Sequence, residues 1–223
     1  MIVVHHLNSS RSWRVLWLLQ ELGVPYQVKA YQRDPRTLRA PPALRQAHPL
    51  GKAPVIDDDG RTLAESGAIV EYLTERHGAG RLVPPADSPD RVRYLYWLHY
   101  AEGSAMPPLL LTLVFSEMPK APMPFFVRPI VRGIAQQAQK TFIGPMLKEH
   151  LDFMEGELGK SSWFAGEAFS AADIVMSFPV EGFAARGGLD ASRPKLWGWL
   201  ERIRARPAYQ RVVEDVGPLG IVG

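Results

Sequence analysis

The chain has 223 residues, 46% apolar and 22% charged, with no cysteine and 26 basic against 23 acidic side chains. This is the composition of a globular protein with a sizeable core. It excludes disulfides, thiolate zinc sites and any mechanism built on a protein thiolate, while its nearly balanced and dispersed charge speaks against nucleic-acid binding.

The first 80 residues read as short alternating elements. Ile2-Val3-Val4 is a short β-rich run. Val15, Leu18, Leu19 and Leu22 follow at i, i+3, i+4 and i+7, one face of an amphipathic helix that Gly23 stops. Tyr26, Val28 and Ala30 alternate with polar residues and predict a half-buried strand. Pro35 to Pro49 is proline-rich and at most partly helical. Pro54-Val55-Ile56 predicts a strand, Asp58-Asp59-Gly60 a hairpin turn and Thr62-Leu63-Ala64 the return strand. Ile69, Tyr72 and Leu73 carry a further helix, ending near Gly78. The expected order is β-α-β-α-β-β-α, a right-handed βαβ unit closed by an antiparallel hairpin.

Residues 81–88 read as a linker, and beyond them strand signals almost vanish. Ser88-Pro89 is a helix start, with Val92, Leu95, Tyr96 and His99 as the expected buried face. Six prolines from Pro107 to Pro129 interrupt any long helix there. Helical periodicity resumes from about Val127 to Glu157, with a kink expected at Gly144-Pro145. Two more helices are expected, around Ala171–Ala185 and Lys195–Arg204. The longest apolar stretch, around Leu109–Phe115, falls far short of the ~20 residues of a membrane-spanning helix. The N-terminus lacks the basic and apolar regions of a secretory leader.

Four constellations stand out, three of them candidates for chemistry. Asn8-Ser9-Ser10-Arg11 sits where a strand hands over to a helix, where unpaired N–H groups and the helix dipole favour an anion; read from local sequence alone, Ser and Asn before a helix are ordinarily caps, and that reading takes precedence. Ala53-Pro54 stands at a strand start, where a bend would turn the Ala53 backbone outward to pair with a peptide-like ligand. Glu65-Ser66 opens a helix; the hydroxyl and N–H of Ser66 suit a carboxylate and Glu65 an ammonium group, while a helix cap with an acidic neighbour fits the local sequence equally. Ser170-Ala171-Ala172-Asp173 is a capping box flanked by the staple pair Phe169 and Ile174, a structural motif. His5 and His6 point to opposite faces of a strand, so no metal site is expected.

In this order and spacing, Asn8-Ser9-Ser10-Arg11-Ser12-Trp13-Arg14-Val15, Ala40-Pro41-Pro42-Ala43-Leu44, His48-Pro49-Leu50-Gly51-Lys52-Ala53-Pro54, Leu63-Ala64-Glu65-Ser66-Gly67-Ala68-Ile69 and Phe164-Ala165-Gly166 with Ser170-Ala171-Ala172-Asp173 resemble the cytosolic glutathione transferase family, its yeast-and-bacterial branch in particular. The resemblance covers nearly the whole chain. It implies an α/β thioredoxin-like domain at 1–80, the linker at 81–88, and an all-α domain at 89–223 carrying a hydrophobic electrophile site. It implies a cytoplasmic homodimer, with residues 89–106 at the interface. Reduced glutathione is the co-substrate, and no other cofactor is expected. Glu65 and Ser66 match the pair that holds the γ-glutamyl group. Ala53, before a family-typical cis Pro54, pairs with the cysteinyl part, and Lys52 reaches the glycyl carboxylate. Ser9 matches the serine that hydrogen-bonds the sulfur in theta-like and zeta-like members, with Ser10 next in line and Asn8 and Arg11 flanking. Arg11 stands where zeta-like isomerases carry Cys.

The implied activity is conjugation of glutathione to hydrophobic electrophiles, with glutathione-dependent peroxidase activity beside it. Lowering a thiol pKa by two units takes about 2.7 kcal/mol. A hydroxyl hydrogen bond and a helix N-terminus, at roughly 1–2 kcal/mol each, supply it. Met106, Leu110 and Phe125 are the expected electrophile contacts, in segments that read as apolar and irregular and that fit a buried helix break or a subunit contact equally well. The same fold also supports two other readings, a non-catalytic binding or regulatory protein and a glutathione-dependent isomerase.

Overall fold

The structure is a computed structural model that describes residues 1–221, so the last two residues of the expected helical domain lie outside the described residues. Four strands form one sheet in the order β2-β1-β3-β4. Strand β1 (Ile2–Leu7) is central and nearly all buried, as its Ile-Val-Val run requires. It pairs in parallel with β2 (Tyr26–Tyr31) and antiparallel with β3 (Val55–Asp58), which turns back into β4 (Arg61–Ala64). The β3–β4 turn has positive φ at Asp59 (48°) and Gly60 (80°), the backbone that an Asp-Gly hairpin supplies at low cost.

Helix α1 (Ser12–Leu22) joins β1 to β2 and ends at Gly23 in the left-handed conformation (φ 62°), its N–H bonded to the carbonyls of Leu19 and Gln20. Strand β2 is not half-buried. It is one of the sheet's two edge strands, and only Tyr31 is buried along it, with Val28 and Ala30 exposed. The helix expected between β2 and β3 is one 3-10 turn, Pro42–Gln46; Pro35, Pro41, Pro42 and Pro49 leave too few backbone donors for more. Helix α2 (Ser66–His77) closes this part of the chain.

The remainder is helical: α3 (Asp90–Tyr100), α4 (Met106–Glu117), α5 (Arg128–Ala138), α6 (Gly144–Leu158), α7 (Ala171–Gly182), α8 (Pro194–Arg204) and α9 (Pro207–Val216). Helix α9 has no counterpart in the sequence reading, although Pro207 in its first turn and Tyr209, Val212 and Val213 are helix-spaced. The segment beginning Met106-Pro107-Pro108 is helix rather than irregular chain. Both prolines fall in the first turn of α4, directly after the wider turn that precedes it. The five residues before it, Ala101–Ala105, form a π turn that continues α3. A second π turn, Gln139–Ile143, separates α5 from α6 immediately before Gly144-Pro145, where the kink was expected.

The face of α3 is reversed from expectation. Tyr94, Trp97, Leu98 and Ala101 are buried, whereas Val92 is 72% and Tyr96 50% exposed, with Leu95 and His99 also exposed. The two faces are about equally apolar, so periodicity alone did not choose between them. Trp97 and Trp199 are fully buried and enclose Phe164 at ring distances of 4.5 and 4.9 Å.

Helix α1 is shared by the sheet and the helical part. Trp13 and Trp17 pack around Tyr209 of α9 with tilted and edge-on rings, at 4.5 and 5.2 Å, and Arg206 forks onto Glu21 at 2.6 and 2.8 Å. The capping box of α7 forms. Asp173 accepts the Ser170 N–H at 3.0 Å, the Phe164 N–H at 3.0 Å and the Trp199 indole N–H at 3.0 Å, binding α7 to α8 and to the preceding loop.

Candidate active site

Three loops meet at one end of the sheet because of strand register. The β1–β3 ladder ends at the His5–Val55 pair, and Val55 in turn pairs with Ala64. The chain leaving β1 (Asn8 to Arg11), the chain entering β3 (Lys52 to Pro54) and the chain leaving β4 (Glu65 and Ser66) therefore lie side by side. Ala53 packs on the small cluster of Leu7, Tyr31 and Leu44, and its bond to Pro54 is cis. Lys52 is exposed.

The Asn8–Ser12 loop divides its polar groups between structure and the open site. Asn8 is engaged: its Oδ1 accepts the Arg33 N–H at 2.7 Å, and its carbonyl and that of Ser9 accept the Arg33 guanidinium. Ser10 is buried and engaged twice, accepting the Ser12 N–H at 3.2 Å and meeting the Ser12 hydroxyl at 2.7 Å. The Ser12 hydroxyl in turn shares a hydrogen bond with His6 Nδ1 at 2.9 Å. Burial holds the His6 pKa below its ordinary value, so this network contains a neutral imidazole at pH 7. The hydroxyl of Ser9 forms no hydrogen bond among the described residues. Ser9 also has φ 50°, a left-handed backbone that non-glycine residues seldom adopt.

These placements separate the two serines. Ser10→Ala is expected to cost roughly 0.5–2 kcal/mol of stability, because it removes the acceptor at the start of α1. Urea unfolding measures that loss, and an undiminished midpoint would show that the Ser10–Ser12 contacts contribute nothing.

Ser66 is the first residue of α2 and is 6% exposed, and Glu65 precedes it on the surface with φ 72°. Such a backbone costs of order 1–3 kcal/mol and clusters at ligand sites. Two residues that sequence reasoning passed over complete the neighbourhood. Arg14, only 1% exposed, donates to the Ser66 hydroxyl at 3.0 Å and to the Val175 carbonyl at 2.6 Å, and it pairs with Glu102 from the π turn. Glu102 also takes Arg11 Nε at 3.3 Å. The signal for Arg14 was a charged residue inside the apolar run Trp13-Arg14-Val15-Leu16-Trp17, which demands a buried partner.

Burial alone would raise the Glu102 carboxyl; the charges of Arg14 and Arg11 and the hydrogen bond from Arg14 outweigh it and hold the group below its ordinary pKa. Its contribution to stability is thus fully present above the unfolded-state carboxyl pKa, about 4.3. It is lost as pH falls through the lower folded value.

The C-terminal segment returns to this end of the molecule. The Gly217 carbonyl accepts the Trp13 indole N–H at 3.0 Å, and Gly220 passes so near Ser9 that a β-carbon there would stand 2.9 Å from Oγ. The expected electrophile contacts are dispersed in environment. Met106 is 8% exposed in the main core, Leu110 is 56% exposed one turn later on α4, and Phe125, 84% exposed, stacks edge-on with Phe126. Among the described residues no helix is long and apolar enough to cross a membrane.

Residues 8–76 match the glutathione S-transferase N-terminal domain family, and residues 136–202 match the glutathione S-transferase C-terminal domain family. The chain is 37% identical to glutathione S-transferase 3 of Schizosaccharomyces pombe over 97% of its own length and 88% of that protein. It is 34% identical to glutathione S-transferase 1 of Saccharomyces cerevisiae, over 99% and 97% of the two chains. Its fold superposes on a solved glutathione S-transferase from Actinobacillus pleuropneumoniae with a TM-score of 0.81 and 31% identity, covering 99% of this chain and 95% of the other. This α/β sheet domain followed by an all-helical one, with its three loops gathered at one sheet end, belongs to the glutathione S-transferase family.

Proposed function

We propose that this protein is a glutathione transferase that activates the glutathione thiol with Ser9 and delivers it to hydrophobic electrophiles. The observation that carries this reading is the Ser9 hydroxyl at the start of α1, which has no hydrogen bond among the described residues, beside a Ser10 hydroxyl that is already engaged twice. A thiolate placed there would take a hydrogen bond from Ser9 and lie at the positive end of the α1 dipole, with the Arg11 charge nearby. Ser9 is a donor, neither nucleophile nor base, and its contribution is electrostatic.

Residues 1–80 form the glutathione domain, 81–88 the linker and 89–223 the electrophile domain. Glu65 and Ser66 hold the γ-glutamyl group, the Ala53 backbone before Pro54 pairs with the cysteinyl unit, and Lys52 meets the glycyl carboxylate. The electrophile lies against the α4 side, with Met106, Leu110 and Phe125 as contacts. The reading places the protein in the cytoplasm, where glutathione is kept reduced. A conjugation assay with glutathione and a chlorodinitrobenzene, run beside an organic hydroperoxide, tests the activity; no turnover with either would refute it. Ser66→Ala is expected to weaken glutathione binding by about 1–3 kcal/mol, the cost of an unmet hydrogen bond to a charged group. Calorimetry reads that change directly, and an unaltered Kd would remove Ser66 from the site.

The exposed stripe of α3 supports the homodimer. Val92, Leu95 and Tyr96, with Phe153 6.2 Å from the Tyr96 ring, form an apolar patch suited to a second copy. Light scattering at micromolar concentration should give twice the 24.9 kDa chain mass, and Tyr96→Glu should shift it toward monomer. A monomeric wild-type chain would rule the dimer out.

A further inference from the structure

The connection between α4 and α5 is a surface loop without polar side chains. Residues 121–127 read Ala-Pro-Met-Pro-Phe-Phe-Val, and none of the seven is buried. Phe125 and Phe126 meet edge-on at 5.6 Å, and Phe126, like its neighbour, is mostly exposed, at 65%. A run of exposed apolar residues in a loop is costly in water and marks an interaction surface. The run lies at the tip of a hairpin. Gln139, just past α5, donates to the Thr112 carbonyl of α4 at 3.3 Å, and Pro119 shares a groove with Arg132, so the two helices are antiparallel arms. The tip's backbone is also prepared to leave water. Pro122 and Pro124 have no N–H, and Ala121 and Val127 donate theirs to the Met118 and Pro124 carbonyls at 3.3 and 3.0 Å.

The charges around the tip are of one sign. From Met118 to Lys148 there are five basic residues and no Asp or Glu, a larger excess than the +3 of the whole chain. Lys120 precedes the tip and pairs with Glu117 at 2.5 Å. Arg128 and Arg132 follow it, one turn apart on α5; both are exposed and form no salt bridge among the described residues. A second copy of the chain is a poor cover for such a patch. Across a two-fold axis the patch meets itself, which would set Arg128 and Arg132 near their own counterparts. An anionic bilayer suits both features, since its interfacial region takes aromatic rings and its acidic headgroups take guanidinium groups.

We propose that the α4–α5 tip docks this protein on the surface of an anionic bilayer. Phe125 and Phe126 enter the interfacial region, and Arg128 and Arg132 meet acidic headgroups. Among the described residues no helix is long and apolar enough to cross a membrane, so the contact is with one leaflet. Hydrophobic electrophiles concentrate in that same layer, beside Phe125. The docking does not depend on which residues hold glutathione.

The test is co-sedimentation of the full chain with vesicles of phosphatidylcholine alone and of phosphatidylcholine mixed with phosphatidylserine. The wild type should bind the mixed vesicles, at least tenfold more weakly at high salt, and at least tenfold more weakly to phosphatidylcholine alone. Phe126→Ser should weaken binding to the mixed vesicles about tenfold, and Arg128→Gln with Arg132→Gln roughly twentyfold. Without lipid, circular dichroism and light scattering of these variants should match the wild type, because the altered side chains are exposed. No binding by the wild type, or equal binding to both kinds of vesicle, overturns the proposal. Undiminished binding by Phe126→Ser overturns the entry of the rings, and undiminished binding by the arginine pair overturns the headgroup contact. A lower mass of Phe126→Ser without lipid would show that the tip joins two copies of the chain, and overturns the docking.

Discussion

Ser9→Ala is expected to raise the pKa of enzyme-bound glutathione by about 1–2 units, since a hydrogen bond to a charged group is worth roughly 1.5–3 kcal/mol and one unit is 1.36 kcal/mol. Turnover at pH 7 should fall about tenfold or more and recover in part at alkaline pH, as the thiolate forms without help. Glutathione affinity should hardly change, because the contacts proposed at Ser66, Ala53 and Lys52 remain. The variant keeps the β-carbon and removes only Oγ, which makes no hydrogen bond among the described residues, so no internal hydrogen bond is lost. Thiolate absorbance titration of bound glutathione is the direct measurement. A pKa that moves in Ser10→Ala and not in Ser9→Ala would shift the sulfur contact by one residue. A pKa unmoved in both would transfer it to Arg11, to a backbone N–H or to the Asn8 amide N–H, whose oxygen alone is used by Arg33.

The largest loss of stability is expected at Asp173, far from that chemistry. Its carboxylate is fully buried and accepts bonds from the backbone of Ser170 and Phe164 and from the Trp199 indole. Asp173→Ala would leave three buried N–H donors unpaired, at about 1–3 kcal/mol each before relaxation, and would also take the acceptor of the Ser170 hydroxyl. The expected cost is about 3–5 kcal/mol, a large part of the 5–15 kcal/mol that holds a typical domain. Asp173→Asn keeps one carbonyl acceptor and should cost less. Chemical denaturation of both variants, with glutathione binding measured on the folded fraction, separates stability from function. A loss under 1 kcal/mol in Asp173→Ala would mean that water or a rearranged loop satisfies the three donors.

The residues that local chemistry constrains were legible in the sequence. Gly23 terminates α1, Asp59-Gly60 turns the hairpin and Ser170 with Asp173 caps α7, because each depends on backbone conformation or on partners within a few residues. The loops at 8–11, 53–54 and 65–66 were legible for the same reason, as strand ends and helix starts with distinctive side chains. Tertiary structure alone decided the rest. Val28 and Ala30 alternate as a half-buried strand would, yet β2 became a sheet edge, because strand order is set by pairing across distant segments. The stripes Val92-Leu95-Tyr96 and Tyr94-Trp97-Leu98 compete on one helix, and what packs against it, not its periodicity, chose the second for the core. Arg14 and Glu102 are 88 residues apart and neither forms a motif alone. A buried charge is tolerable only where the fold brings its counter-charge, so sequence could signal that Arg14 needs a partner, and only packing against the π turn before α4 could supply Glu102.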